Sequence, residues 1–197
     1  MAGEKKKFFD VEIPFIEKKV ELFAFEQSAL DKKTIKLDLT NLLKGRALEI
    51  SLYVELKNNK LIAIPKKAEL INSYVRRLSR GGTDYAEDSF LAECKDNRIR
   101  VKPLIIARNR VSNRVLKGLR EKAKEEIIHY AKSKTFEEIL LGVINNKLQK
   151  ELMPKLKKIY PVAVYEIKFI GIENPKGYEK YEQEKEIEQS AKKEKEE

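Results

Sequence analysis

Residues 95–124 hold eleven Lys and Arg against two acids, Asp96 and Glu121, a local charge of +9 in a chain whose net charge is +10. Such an excess repels itself in water and implies a dense polyanion held against it, a nucleic acid rather than a lipid surface. Six of the eleven are Arg, whose planar fork suits phosphate oxygens and stacks on bases. The excess runs through three successive elements: a strand bearing Arg98, Arg100 and Lys102, a loop bearing Arg108 and Arg110, and a helix bearing Arg114 and Lys117. A second source, Arg76, Arg77 and Arg80, ends an earlier helix, where positive charge also suits the dipole. These ten residues are the candidate nucleic-acid-binding set. Their expected role is phosphate neutralisation, with residues 108–114 entering the nucleic acid most deeply. Asn109, Ser112 and Asn113 add hydrogen-bonding groups there without bulky apolar ones, which suits sugar–phosphate contact better than base readout. A plain solvated face is the alternative, and the spread over three elements argues against it.

Other chemistry finds little support. His129, the one histidine, has no nucleophile or carboxylate beside it at a recognisable spacing. Cys94, the one cysteine, precludes an intrachain disulfide and multi-thiolate metal clusters, and it reads as a small core residue beside Phe90 and Ala92. The pairs Glu125-Glu126 and Glu137-Glu138 fit polar helix faces or a cap, so no metal is expected. Gly81-Gly82-Thr83 reads as a helix stop in preference to a phosphate nest. Neither Gly-x-x-x-x-Gly-Lys-Ser/Thr nor Gly-x-Gly-x-x-Gly occurs, and no cofactor is expected. The aromatic residues look dispersed at core-like positions, without a stripe for stacking single-stranded bases. No window approaches the roughly 18 apolar residues of a membrane span, and an intracellular, soluble, basic protein is expected.

The elements that must position the basic residues begin with strands. Phe8–Ile13, Val20–Phe25, Thr34–Leu39 and Leu48–Leu56 are β-prone or alternate, and Asn58-Asn59 supplies a turn into Leu61–Ile64. Leu70, Ile71, Tyr74, Val75 and Leu78 then recur at helical spacing, predicting a helix over 66–80. A hairpin follows, from Phe90-x-Ala92-x-Cys94 through Asp96-Asn97 to Arg98–Lys102, with Pro103 marking a bulge or an edge. Ser112 is placed to cap a long basic helix to about Lys132, with Val115, Leu116, Leu119, Ala123, Ile127 and Tyr130 on one face. Thr135-Phe-Glu-Glu138 is a capping box opening a helix to about Ile144. A further helix ends near Tyr160-Pro161, with Pro154 predicting a kink or a first turn, and Val162–Ile170 is a last strand.

The predicted class is α+β: a mostly antiparallel sheet, barrel-like if its N-terminal strands close, with a central helix, a long basic helix and a C-terminal helix pair. Residues 1–172 read as a single RNA-binding domain. Residues 173–197 read as a charged tail, disordered or frayed, because residues 178–197 carry eight acids and five Lys around one sizeable aliphatic residue, Ile187.

The motifs Tyr74-Val-Arg-Arg-Leu-Ser-Arg80, Arg98-Ile-Arg-Val-Lys-Pro103, Thr135-Phe-Glu-Glu-Ile139 and Lys158-Ile-Tyr-Pro161 before a strand, in this order and spacing, resemble one family. It is the archaeal and eukaryotic small-subunit ribosomal protein family S-three-A-e, also called S-one-e. The resemblance covers about residues 65–170, Phe8–Pro14 looks like the family's aromatic opening strand, and the short tail looks like the archaeal form. It implies a structural constituent of the small ribosomal subunit, in the cytoplasm on the ribosome, without catalysis or cofactor. It further implies a place on the platform near the mRNA exit and the 3′ end of the small-subunit rRNA, beside other platform proteins, with no membrane. Two rival readings stay open on the residues alone. One is an RNA-modifying or RNA-cleaving enzyme using the same basic surface, for which no catalytic group is evident. The other is a transient assembly or initiation factor, which differs only in occupancy.

Overall fold

In chain order the molecule forms β1 (Lys7–Ile13), β2 (Lys18–Ala24), β3 (Thr34–Asp38), β4 (Leu48–Lys57), β5 (Lys60–Leu70), α1 (Asn72–Leu78), β6 (Tyr85–Glu87), β7 (Phe90–Glu93), β8 (Arg98–Ala107), α2 (Asn113–Lys132), α3 (Phe136–Ile144), α4 (Lys147–Lys157) and β9 (Val162–Ile172). The computed structural model describes residues 6–173 apart from positions 17, 44, 58, 59 and 80. The expected Asn58-Asn59 turn, Arg80 and nearly all of the charged tail therefore lie outside the described residues.

Two long antiparallel pairs, β4 with β5 and β8 with β9, frame one nine-stranded α+β sheet. Antiparallel contact between β5 and β9 joins them, over Lys67–Glu69 and Phe169–Gly171. Each frame carries shorter strands at its margins. β1 lies parallel to the start of β5 and antiparallel to β2, which ends that side of the sheet. β7 and β6 divide the far edge of β8, pairing with Arg98–Val101 and Leu104–Ile106 respectively. β3 borders β4. The sheet stays open and does not close into a barrel.

The helix expected over 66–80 is shorter, and β5 runs through its first turn to Leu70. The cause is a bulge: Ser51 faces Lys67 while Leu52 faces Pro65, leaving Lys66 unmatched. Leu61, Ala63 and Pro65 point inward before the bulge, and Ala68 and Leu70 after it. This break in the two-residue period let Leu70 pass for the start of a helical face. Pro103 also sits at a bulge, between the β7 and β6 pairings, where its missing N–H interrupts neither register. β8 continues past it to Ala107.

Helix α2 buries Leu116, Leu119, Ala123, Ile127 and Tyr130, each large side chain contributing on the order of 2 kcal/mol through burial. Ile127, Tyr130 and Ala131 line one small apolar cavity with Ile99 and Val101 of β8 and Ile139 and Val143 of α3. That packing fixes which way β8 presents its basic residues. The capping box of α3 is formed: the Thr135 N–H donates to Glu138 Oε2 at 3.1 Å, and the Glu138 N–H donates to Thr135 Oγ1 at 3.3 Å. Pro154 lies within α4, away from its first turn. Between the sheet and the helices runs a buried polar clamp. Arg46 Nη2 meets Glu166 Oε2 at 2.6 Å, Arg46 Nη1 donates to the Val143 carbonyl at 2.7 Å, and Gln149 Nε2 donates to the same carbonyl at 3.1 Å. Two buried side chains, Arg46 and Gln149, satisfy the end of α3 while Glu166 pairs the Arg46 guanidinium, and nothing in the sequence pattern announced them.

Candidate nucleic-acid interface

Strand β8 leaves the sheet at Ala107, and the chain crosses five residues before α2 begins. This short crossing is held from both sides. The Arg108 N–H donates to the Pro161 carbonyl at 3.1 Å and the Ala107 N–H to the Asp84 carbonyl at 2.9 Å. The Asp84 carboxylate accepts from the Val111 N–H at 2.8 Å. Arg108, Asn109 and Arg110 are all exposed between these anchors, and Arg114 is exposed in the first turn of α2. Among the described residues none of Arg108, Arg110 and Arg114 pairs with a carboxylate.

Ser112 is the N-cap of α2, as its position predicted, but its hydroxyl makes no capping bond. No acid occupies the first turn either. The positive end of a 20-residue helix therefore faces the same loop with no acid in its own first turn, and the Asp84 carboxylate beside it is engaged with the Val111 N–H, an arrangement that leaves the helix end itself open to phosphate. A backbone pinned at both ends, three guanidinium groups without carboxylate partners among the described residues, and a helix N-terminus follow one another along this edge.

The other candidates are arranged differently. Arg98, Arg100 and Lys102 share the sheet face opposite Ile99 and Val101, away from α2 and α3. Nine residues at ~3.3 Å each separate Arg98 from Ala107, about 30 Å along β8. Arg98 meets Glu93 at 3.3 Å on the surface, and Arg100 meets Glu173 at 2.5 Å. Lys102 lies over the Phe169 ring, 5.2 Å from its centroid. Lys117 continues the exposed stripe of α2 from Arg114 and makes only a 3.8 Å contact with Glu121, with both side chains mostly in solvent. Such a pair is weak and yields readily to a phosphate. In α1, Arg76 and Arg77 are exposed, Arg77 lying 5.5 Å from the Tyr74 ring centroid. The turn after α1 passes through Gly82, whose φ of +86° suits glycine, and delivers Asp84 to the loop. The structure thus sets Arg108, Arg110, Arg114 and Lys117 in succession along the pinned loop and the start of α2, ties the turn after α1 to that loop through Asp84, and sets the three β8 residues on another face.

Sequence reasoning missed Asp84 and the exposed aromatics. Phe8, Phe23 and Phe25 are 69%, 56% and 50% exposed on one face of the β1–β2 hairpin, a correction to the expectation of dispersed, core-like rings. The signal was present, since Phe23 and Phe25 flank Ala24, the last residue of β2, in alternation; only the burial of Ala24 tells which face is outer. Cys94 is half-buried, and burial pushes its thiol up to about 12, far from a reactive thiolate. His129 is exposed on α2. Among the described residues no group of three His, Cys, Asp or Glu could hold a metal ion, and no helix is long and apolar enough to cross a membrane.

Comparison with known proteins bears on this geometry. The model of the Ribosomal S3Ae family matches residues 3–174. The small ribosomal subunit protein eS1 of Methanothermobacter thermautotrophicus is 33% identical over 100 residues, 50% of this chain and 51% of that protein. The protein of the same name in Nanoarchaeum equitans is 25% identical over 179 residues, 86% of this chain and 90% of its own length. That of Desulfurococcus amylolyticus is 26% identical over 154 residues, 68% and 72% of the two chains.

Proposed function

The chain belongs to the Ribosomal S3Ae family, and on that premise we propose that it is a structural constituent of the small ribosomal subunit that binds rRNA through the loop between β8 and α2. The observation that carries the reading is the loop itself. Its backbone is pinned by Asp84 and Pro161, while Arg108, Arg110 and Arg114 extend from it without carboxylate partners among the described residues. A pre-ordered loop binds a phosphate backbone without the ordering entropy that a mobile one loses. Arg76, Arg77, Arg80 and Lys117 extend the proposed footprint. Arg98, Arg100 and Lys102 lie on another face, where Arg98 and Arg100 already pair with Glu93 and Glu173, and they stand outside this footprint unless phosphate displaces those pairs. The family's members are ribosomal proteins, and catalysis plays no part in this reading.

The finer location is the platform, near the mRNA exit and the 3′ end of the small-subunit rRNA, beside neighbouring platform proteins, on ribosomes in the cytoplasm. The resemblance of the four central motifs supports this location, and the relatives' common name supports the small subunit alone. Reversing two loop charges tests the core of the proposal. The Arg110→Glu/Arg114→Glu chain should fold normally yet fail to enter small subunits, as seen by sedimentation of salt-washed particles. Stoichiometric recovery of that variant in the particles would refute the loop assignment. Wild-type protein that washes off at moderate salt would point instead to a transient assembly or initiation factor.

A further inference from the structure

The hairpin of β1 and β2 ends one side of the sheet, and β2 has no strand on its outer edge among the described residues. Its inward residues, Phe9, Val11, Ile13, Leu22 and Ala24, belong to or pack on the core. Its outward face gathers Phe8 and Phe23 as a direct cross-strand pair, ring centroids 4.8 Å apart, with Phe25 beyond them. The Lys6 ammonium lies 5.6 Å and 5.2 Å from the Phe23 and Phe25 centroids, and no carboxylate among the described residues pairs with it. Lys18, Lys19 and Glu21 charge one end of the edge strand, a common guard against strand addition. The other end, Leu22 to Ala24, has no such guard.

Charge decides what kind of partner fits. Residues 6–25 carry four Lys and four acids, a net charge of zero, against +9 for residues 95–124. Asp10 and Glu21 face each other directly beside the Phe8–Phe23 pair, so a phosphate backbone following the rings would meet two carboxylates. A neutral face with three large exposed rings, one uncompensated ammonium and an open strand edge suits a protein. We infer that the outer face and free edge of the β1–β2 hairpin dock an extended segment of another small-subunit protein, apolar at alternate positions and carrying an acid opposite Lys6. The segment adds as a strand beside Leu22–Ala24, its apolar side chains cover Phe8 and Phe23, and its carboxylate neutralises Lys6 as water leaves. This surface rests on the ribosomal reading but shares no residue with the RNA-binding loop.

The test replaces both rings by a residue that keeps strand propensity, Phe8→Thr/Phe23→Thr, in the full chain. Two assays run side by side: binding to protein-free small-subunit rRNA, and incorporation during reconstitution with the other small-subunit proteins. The expected result is unchanged affinity for bare rRNA and a loss of about tenfold or more in competition against wild type for incorporation. An equal loss on bare rRNA would make the rings a base-stacking platform and overturn the inference. Undiminished incorporation would show a surface with no partner and overturn it too. So would a wild-type dimer in light scattering that the double substitution abolishes, since the face would then join two copies of this chain. The Arg110→Glu/Arg114→Glu chain serves as the control: if it binds bare rRNA like wild type, the RNA-binding reading has failed, and the ring result is judged separately.

Discussion

Asp84 puts a negative charge beside the loop whose guanidinium groups are proposed to meet RNA. On charge alone, removing it should strengthen binding to a polyanion. The geometry predicts the opposite. The carboxylate holds the Val111 N–H at 2.8 Å, and the Asp84 carbonyl holds the Ala107 N–H, so the same residue fixes both ends of the turn carrying Arg108 and Arg110. Releasing even one residue's backbone restores roughly 1 kcal/mol of entropy that binding must then overcome, about a fivefold loss of affinity. Asp84→Ala should therefore weaken binding to small-subunit rRNA about fivefold while leaving its salt dependence unchanged, because no phosphate contact is removed. Tighter binding by the variant would show that Asp84 acts only through its charge. No sequence pattern pointed to this residue, because its partner lies 27 positions away and a lone Asp after a Gly-Gly turn looks like any other turn residue. The guanidinium groups that it positions were legible because Arg has few reasons to cluster except an anion.

Individual elements were legible where one physical signal acted alone. The capping box of α3 and the apolar stripe of α2 depend on local spacing, and both stand as the sequence implied. Pattern failed at residues 66–70, where a bulge set by the partner strand reversed which side chains face inward. It failed again at the clamp of Arg46, Glu166 and Gln149, which links the chain before β4, the end of α3 and β9. With Arg46 and Glu166 6% and 7% exposed, removing one partner leaves a charge buried without compensation. Arg46→Met should cost about 3–5 kcal/mol, read as a lower denaturation midpoint at constant slope. Adding Glu166→Met should restore much of the loss, since an apolar pair can replace a buried ion pair. A less buried link joins α2 to α4, where Lys155 Nζ meets Glu126 Oε2 at 2.6 Å. That hydrogen bond, opposed by partial burial and supported by Lys122, holds the Glu126 carboxyl below the ordinary glutamate range. A depressed carboxyl stabilises the fold above its unfolded-state value and loses that contribution as pH falls through the folded one. Stability should thus decline as pH falls below the ordinary glutamate value of about 4.3, and Lys155→Met should flatten part of that decline in denaturation curves measured across the acid range.

At the scale of the whole molecule, a single basic run in sequence becomes two surfaces. β8 spends its length inside the sheet, so its basic residues emerge on the face away from the helices, while the loop and α2 emerge at its far end. Counting charges along the chain could not separate them, because that separation comes from the sheet's pleat and the strand's length. The partition has a measurable consequence in the salt dependence of RNA binding. Arg76, Arg77, Arg108, Arg110 and Arg114 have no carboxylate partner among the described residues, and each phosphate neutralised contributes slightly less than one to the log–log slope. These five alone give a slope of about −4, and Arg80 and Lys117, the rest of the proposed footprint, bring it to about −6. Arg110→Ala should reduce its magnitude by slightly under one, whereas Arg100→Ala should leave it unchanged, because Glu173 already neutralises that guanidinium at 2.5 Å. A slope near −8 would mean that the strand cations give up their carboxylates and join the contact. A slope near zero would remove the phosphate backbone from the account altogether.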